Sequence, residues 1–246
     1  MSVSPELAGG IAFLQETARI LMAADMRQAA LVTLWLSAVA SLGAILIGMV
    51  AAFSRLSSFK PLRWLAIGYI EIFRNTPLLI QLLFWYSGLQ SVGVTLAPEL
   101  CGIVGLSLYT GAFLAEIFRA GVLAVSAQQR DAGLALGLTP LQVYLRVLLP
   151  QAARMSLPAV GNQLASLLKN SSLLAFITVE EAFYMVYRGA VEEFRPAPYF
   201  LAGAAFYVAA TLLVSGVIHS LDRLLGRRFN RAVLPASTPA LTATGS

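Results

Sequence analysis

"AALVTLWLSAVASLGAILIGMVAAF", residues 29–53, carries no charged side chain. A helix needs roughly 20 apolar residues to cross about 30 Å of hydrocarbon. This run meets that length and reads as a membrane-spanning helix. The rest of the chain has the same character. Of its 246 residues, 58% are hydrophobic and 12% charged, and the mean hydropathy is +0.77. Soluble domains carry about 25% charged residues. Half that amount over a chain this long points to an integral membrane protein.

Four more candidate spans follow. Residues 64–88 are apolar but interrupted by Glu71 and Arg74, and residues 100–121 carry Glu116 and Arg119 near their end. Residues 155–178 are broken by Lys169, and residues 198–218 are uncharged. The fold class expected is therefore all-α, with five transmembrane helices and the two termini on opposite sides. Lys and Arg in short loops set the orientation. One set of loops holds Arg55, Lys60, Arg63, Arg119, Arg130, Arg146, Arg154, Arg223, Arg227, Arg228 and Arg231; the other holds Arg19, Arg27, Arg188 and Arg195. Eleven against four puts the first set and the C-terminus in the cytoplasm, and the N-terminus outside. Glu99, Glu180, Glu181, Glu192 and Glu193 all fall on the outer side. The net charge of +5 then reflects topology and anionic-lipid contact rather than a nucleic-acid surface. Trp64, Trp85, Tyr86, Tyr199 and Phe200 sit at span ends, as interfacial anchors do.

The division expected is an external or interfacial segment over 1–28, a transmembrane domain over 29–228, and a flexible cytoplasmic tail over 229–246. In the first segment Ile11, Leu14, Ala18 and Leu21 share one face, as in an interfacial helix. "MSVSPELAGG" (1–10) lacks a basic leader and an early apolar core, so it does not read as a cleaved signal. One cysteine, Cys101, and one histidine, His219, exclude an internal disulfide, a multi-cysteine metal site and a His-based catalytic cluster. No G-x-x-x-x-G-K-[ST] occurs, so the chain has no recognisable nucleotide-binding loop. A secondary transporter would need inverted repeats and more helices, and a channel would need a filter loop or charged rings. Neither pattern is present.

The loop between the third and fourth spans, 126–154, reads "SAQQRDAGLALGLTPLQVYLRVLLPQAAR". It predicts two short helices with a turn between them. Gly137 suits the left-handed position that ends the first. Thr139 and Gln142 form a T-x-x-Q capping box with Pro140 at the first helical position. Leu141, Tyr144, Leu145, Leu148 and Leu149 then make an apolar stripe, and Pro150 is expected to limit continuation. Such a hairpin either packs on its own bundle or docks a soluble partner.

Within it, "DAGLALGLTPLQVYLRVLLP" (131–150) resembles the cytoplasmic loop of bacterial ABC importer permeases, E-A-A-x-x-x-G-x9-I-x-L-P. Ala132, Gly137, Leu149 and Pro150 match; Val147 replaces the isoleucine, Asp131 the glutamate and Gly133 the second alanine. "LVTLWLS" (31–37), "EIFRNTPLLIQLLFWY" (71–86), "AFLAEIFRAGV" (112–122) and "LLKNSSLLAFI" (167–177) are similar to the polar amino-acid uptake branch of that family. The resemblance runs from about 31 to 228. It implies a transport subunit rather than an enzyme, in a bacterial inner membrane. It also implies a second permease subunit, two ATPase subunits and an external solute-binding protein as partners, with ATP and Mg held by the ATPase. The coupling segment would comprise Asp131, Ala132, Gly133, Gly137, Leu138, Thr139, Pro140, Val147, Leu149 and Pro150. Asp131 would meet a basic residue of the ATPase, or serve only as favourable charge at a helix N-terminus, worth about 0.3–1 kcal/mol.

Charges inside a membrane are expensive and are candidates for function. A zwitterionic substrate needs a cation or helix N-terminus for its carboxylate, and carboxylates or freed carbonyls for its ammonium. Candidate pathway or gate residues are Arg74, Asn75 and Thr76 beside the helix-breaking Pro77, Glu116, and Asn162, Ser166, Lys169 and Asn170. Positions 162, 166 and 169 share a helix face. The alternative is that these groups pack and pair helices together. The tetrapeptide EIFR at 71–74 and 116–119 has unlike flanks, so it does not mark a duplication.

Overall fold

The computed structural model describes residues 5–233, and every regular element among them is helical. In chain order these are α1 (Pro5–Met22), α2 (Ala24–Leu56), α3 (Lys60–Asn75) and α4 (Leu78–Leu83), which runs on through a wide π turn at Phe84–Gly88. Then come α5 (Pro98–Ala124), α6 (Ala127–Ala135), α7 (Pro140–Val143) with a second π turn at Tyr144–Leu148, and α8 (Leu149–Asn170). A 3-10 stretch (Ser171–Ile177), α9 (Ala182–Glu192) and α10 (Pro196–Val233) complete the set.

Among the described residues, three helices are long and apolar enough to cross a membrane: Ala24–Leu56, Pro98–Ala124 and Pro196–Ser220. The other two expected spans take a different form. Residues 64–88 are not one helix. Pro77 has no N–H and the residue before it disfavours helical backbone, so Thr76 is extended (φ −105°, ψ 133°) and the chain restarts as α4. Of residues 155–178, the part up to Asn170 belongs to a helix that begins earlier, at Leu149. The chain then tightens into 3-10 turns and closes on Thr178, which takes a left-handed φ of 64°. Of the expected tail, residues 229–233 continue α10, and 234–246 lie outside the described residues.

Apolar burial gives little drive for helices to associate in lipid; close packing through small residues does that work. The α2–α5 pair is the most extensive helix contact and follows this rule. Ala40 and Ala44 on α2 face Leu106 and Leu114 on α5 in a core that also takes Leu36, Leu167 and Leu174. The Ser107 hydroxyl donates to the Ala40 carbonyl at 3.1 Å. At Gly48 the backbones come so near that a Cβ would lie 2.8 Å from Leu114 Cβ and 3.1 Å from the Gly111 carbonyl oxygen. Tyr69 ties α3 to α5 by donating to the Leu108 carbonyl at 2.7 Å.

At the other end of the bundle, α1 packs along α10 and α9 packs against α10 and α2. The face of α1 turned inward carries Thr17, with Phe13, Glu16 and Ile20 half-buried. On the face expected for an interfacial helix, Ile11 and Leu14 are exposed, and Ala18 and Leu21 are half-buried. Arg195 pairs with Glu16 and fixes α1 to the start of α10. Glu181, expected as one of several outer-surface acids, is fully buried.

Because the Gly48 contact is with backbone as well as side chain, it has little room to give. Gly48→Val should force α2 and α5 apart and destabilise the fold by about 1–3 kcal/mol. A lower thermal midpoint of the detergent-purified protein checks this; an unchanged midpoint contradicts the close approach.

Candidate functional site

The hairpin between α5 and α8 is built as its sequence requires at both caps. Helix α6 ends in a two-bond Schellman closure, with Gly137 N–H donating to Leu134 and Leu138 N–H to Gly133. That geometry needs a left-handed residue, and Gly137 has φ 80°. In the capping box, Gln142 N–H donates to the Thr139 hydroxyl at 3.3 Å and Thr139 N–H to the Gln142 side chain at 2.9 Å. Loss of such a cap costs about 1 kcal/mol.

Two features of the hairpin depart from expectation. Pro150 does not end the second arm. The turn before it widens so that Leu149 N–H donates to Tyr144, five residues back, and the helix passes through Pro150 into α8. A wide turn relieves the clash between a proline ring and the carbonyl four residues earlier. The side chain closing the hairpin is also not from the apolar stripe. It is Val143, 1% exposed, seated on Gly133, where a Cβ would lie 3.0 Å from Val143 Cγ2. Leu136, Leu141 and Leu145 stay 82%, 66% and 51% exposed, so the hairpin presents an uncovered apolar surface. Asp131, Ala132, Thr139, Pro140 and Pro150 are exposed; Leu138, Val147 and Leu149 are half-buried. Tyr144 meets Phe53 of α2 edge-on at 6.3 Å, and burial raises its phenol pKa, which keeps it neutral.

The intramembrane polar residues fall into separate groups. At the end of α3, side chains donate to the last carbonyls. Asn75 donates to the Glu71 carbonyl (2.8 Å) and to its carboxylate (3.0 Å), and Thr76 to the Ile72 carbonyl (2.8 Å). The Phe73 carbonyl, left unserved by Pro77, receives Gln81 Nε2 at 3.0 Å. Arg74 lies over the Phe113 ring, 5.2 Å from its centroid, a cation–π contact. Glu116 accepts from Arg55 of α2 and from Arg119 at 2.9 and 3.1 Å. It joins the C-terminal ends of α2 and α5. On α8, Asn162 and Lys169 are exposed, with Ser166 and Asn170 half-buried. The Ser166 hydroxyl donates to the Asn162 carbonyl at 3.0 Å. Lys169 has no ion-pair partner among the described residues.

Three participants were not singled out by sequence reading. Gln81 is the first; a proline with a glutamine four residues later is the signal that could have found it. The second is Arg55, counted only as a loop cation. The third is Glu181, whose carboxylate receives Tyr207 OH at 2.6 Å, Thr33 OH at 3.3 Å and Tyr184 N–H at 2.9 Å. It binds α2, α9 and α10 together, and burial raises its pKa against the pull of those donors.

Comparison with known proteins fits this arrangement. Residues 44–231 match the family described as "Binding-protein-dependent transport system inner membrane component". The chain is 34% identical over 197 residues to a probable glutamine ABC transporter permease protein of Bacillus subtilis, covering 80% of this chain and 91% of that one. It is 35% identical over 184 residues to the L-cystine transport system permease protein of the same organism, covering 74% and 79%. Among solved structures, an amino acid ABC transporter with histidines superposes with a TM-score of 0.76 at 30% identity, covering 91% of this chain and 99% of that one. With a helical hairpin projecting from a bundle of apolar helices and these matches, the chain belongs to the family of inner-membrane permease components of binding-protein-dependent transport systems.

Proposed function

We infer that this chain is the permease subunit of an ATP-driven importer in a bacterial inner membrane, carrying a polar amino acid handed over by an external binding protein. It crosses the membrane five times, counting the broken α3–α4 unit and α8 with the three long apolar helices. The N-terminus lies outside and the hairpin and C-terminus inside. The coupling loop is 126–154 within a membrane domain over 29–228. The chain holds no nucleotide; ATP and Mg belong to a separate ATPase.

The observation that carries this reading is the continuity of the hairpin with α8. The second arm passes through the wide turn at Tyr144–Leu148 into α8 without a break. An ATPase that grips Leu136, Leu141 and Leu145 therefore moves the helix bearing Asn162, Ser166, Lys169 and Asn170. Asp131, exposed on α6, adds a negative charge at that seat. The polar face of α8 and the end of α3, with Glu71, Arg74, Asn75 and Thr76, are turned away from the chain's own core. Exposed polar groups at membrane depth need protein or water opposite them. A second permease subunit, with the pathway between the two, supplies both. Glu116, with Arg55 and Arg119, closes the inner end of α2 and α5.

Reconstitution into liposomes with the ATPase and binding protein tests the whole reading. Uptake should require ATP, and a competition panel of acidic, basic and amide amino acids should identify the cargo. Uptake driven by an ion gradient without the ATPase would overturn it.

Two substitutions test its parts. Gly137→Val puts a β-branched residue at φ 80°, at a penalty of about 1–2 kcal/mol, and distorts the seat. The variant should insert normally but recover less ATPase on co-purification; full recovery with normal transport would remove the hairpin from the coupling role. Glu116→Gln leaves Arg55 and Arg119 facing each other across α2 and α5. A lower thermal midpoint together with reduced uptake is expected, and wild-type values for both would show the triad to be dispensable.

A further inference from the structure

Phe194 stands in the turn between α9 and α10, 89% exposed. Its φ is 54°, a left-handed conformation that suits glycine and strains a bulky aromatic. Glu193 caps α9, so Phe194 occupies the position just past a helix end where glycine is commonest. The residue is thus disfavoured twice, by its backbone and by its exposure. Its chain neighbours Glu192, Glu193 and Arg195 are charged and exposed.

The turn is braced on both sides. Arg188 pairs with Glu192 at 2.7 Å, Tyr199 OH donates to Glu193 at 2.6 Å, and Arg195 pairs with Glu16. Two adjoining polar cavities lie on this side of the bundle, the first reaching the turn through Glu192 and Glu193. One of about 440 Å³ is lined by Glu16, Arg19, Asp25, Arg188, Glu192 and Glu193, among others. The next, about 510 Å³, shares Asp25 and Arg188 and adds Glu99 and Glu180. Acids outnumber bases in both. A rigidly held exposed aromatic beside charged sockets has the anatomy of an interface anchor with a polar rim.

We propose that Phe194 and these two adjoining acidic cavities form the seat for one lobe of the binding protein. The partner's matching surface would offer an apolar pocket for the ring, flanked by lysine or arginine side chains that enter the cavities. This inference rests on the orientation given under the proposed function, which places the α9–α10 turn outside. It adds which part of the outer face receives the partner, and by what chemistry.

The strain supplies a clean test. Phe194→Gly relieves the left-handed backbone while deleting the ring, so a loss of docking cannot come from misfolding. In the reconstituted complex of permease, ATPase and the cell's amino-acid-specific binding proteins, added one at a time, the variant should keep its thermal midpoint or raise it. Its unstimulated ATP hydrolysis should match wild type. The binding-protein concentration for half-maximal stimulation should rise tenfold or more. Glu180→Lys should also raise it and flatten its dependence on salt, as loss of a steering charge does. Phe194→Cys in right-side-out inner-membrane vesicles should react with a membrane-impermeant maleimide and be shielded by added binding protein. An unchanged half-maximal concentration in Phe194→Gly, with wild type responding normally, overturns the seat and leaves the proposed function standing. A cysteine at 194 that stays unreactive assigns the ring to lipid and overturns it too. A wild-type complex that ignores every binding protein overturns the functional reading itself and the seat with it.

Discussion

Hydrocarbon offers no water to an unpaired backbone group, so every break in a helix at membrane depth must be repaired by the chain itself. The bundle depends on that constraint at each place where it departs from a regular helix. At Pro77 the lost donor is replaced by Gln81, while Asn75 and Thr76 serve the two carbonyls beside it. In the hairpin, which the proposed function puts in the cytoplasm, the helix widens by one residue before Pro150 instead of breaking. Beyond Asn170 the ladder tightens, and the hydroxyls of Ser171 and Ser172 return to the Leu168 and Lys169 carbonyls. Thr178 then turns the chain in a left-handed conformation, and its hydroxyl lies 3.3 Å from Tyr86 OH. Many polar side chains that look available for a substrate are, in this state, occupied with the backbone.

That occupation has a consequence for motion. A helix end held by side-chain amides can exchange one donor for another at small cost, because net hydrogen-bond contributions are about 0.5–1.5 kcal/mol. The small-residue contact between α2 and α5 is different. Gly48 against Leu114 and the Gly111 carbonyl has no slack, and the Glu116 ion pairs add a second tie between the same two helices. The structure is thus stiff along α2–α5 and adjustable at the α3–α4 break and along the hairpin and α8. Under the proposed function a cytoplasmic push has to be transmitted, and that needs both a fixed frame and an element able to shift against it.

What the sequence made legible followed from local chemistry. The charge-free run 29–53 lies inside α2, and the caps of the hairpin appear at Gly137 and Thr139 as their residue types demand. What escaped depended on tertiary neighbours. The pattern around Pro77 showed a kink, but not that a glutamine four residues on would complete it. Pro150 read as a stop because a proline within a regular α-helix is one; the wide turn that admits it leaves no mark in hydrophobic periodicity. Val143 was hidden because the apolar stripe was counted along a regular helix, whereas the position facing Gly133 decides which side closes. Glu181 looked like one more outer acid, since nothing local announces that Thr33 and Tyr207, far away in sequence, would bury it.

The distribution of charge bears on where selectivity resides. Glu116 is taken up by two arginines and Arg74 by an aromatic ring. On α8, Lys169 is exposed beside Asn162 and Ser166. Under the proposed function this face offers a cation and uncharged hydrogen-bonding groups to whatever passes. A cation answers the carboxylate that every amino acid carries, and an amide or hydroxyl accepts many side chains without strongly rejecting any. Discrimination requires buried groups left unpaired by the wrong ligand, and an exposed polar face cannot impose that penalty. Relatives about one-third identical to this chain, whose names point to glutamine and to L-cystine, accord with that argument. The choice of cargo then falls mainly to the protein that encloses it before delivery, and the permease supplies a path tuned to the part all such cargoes share.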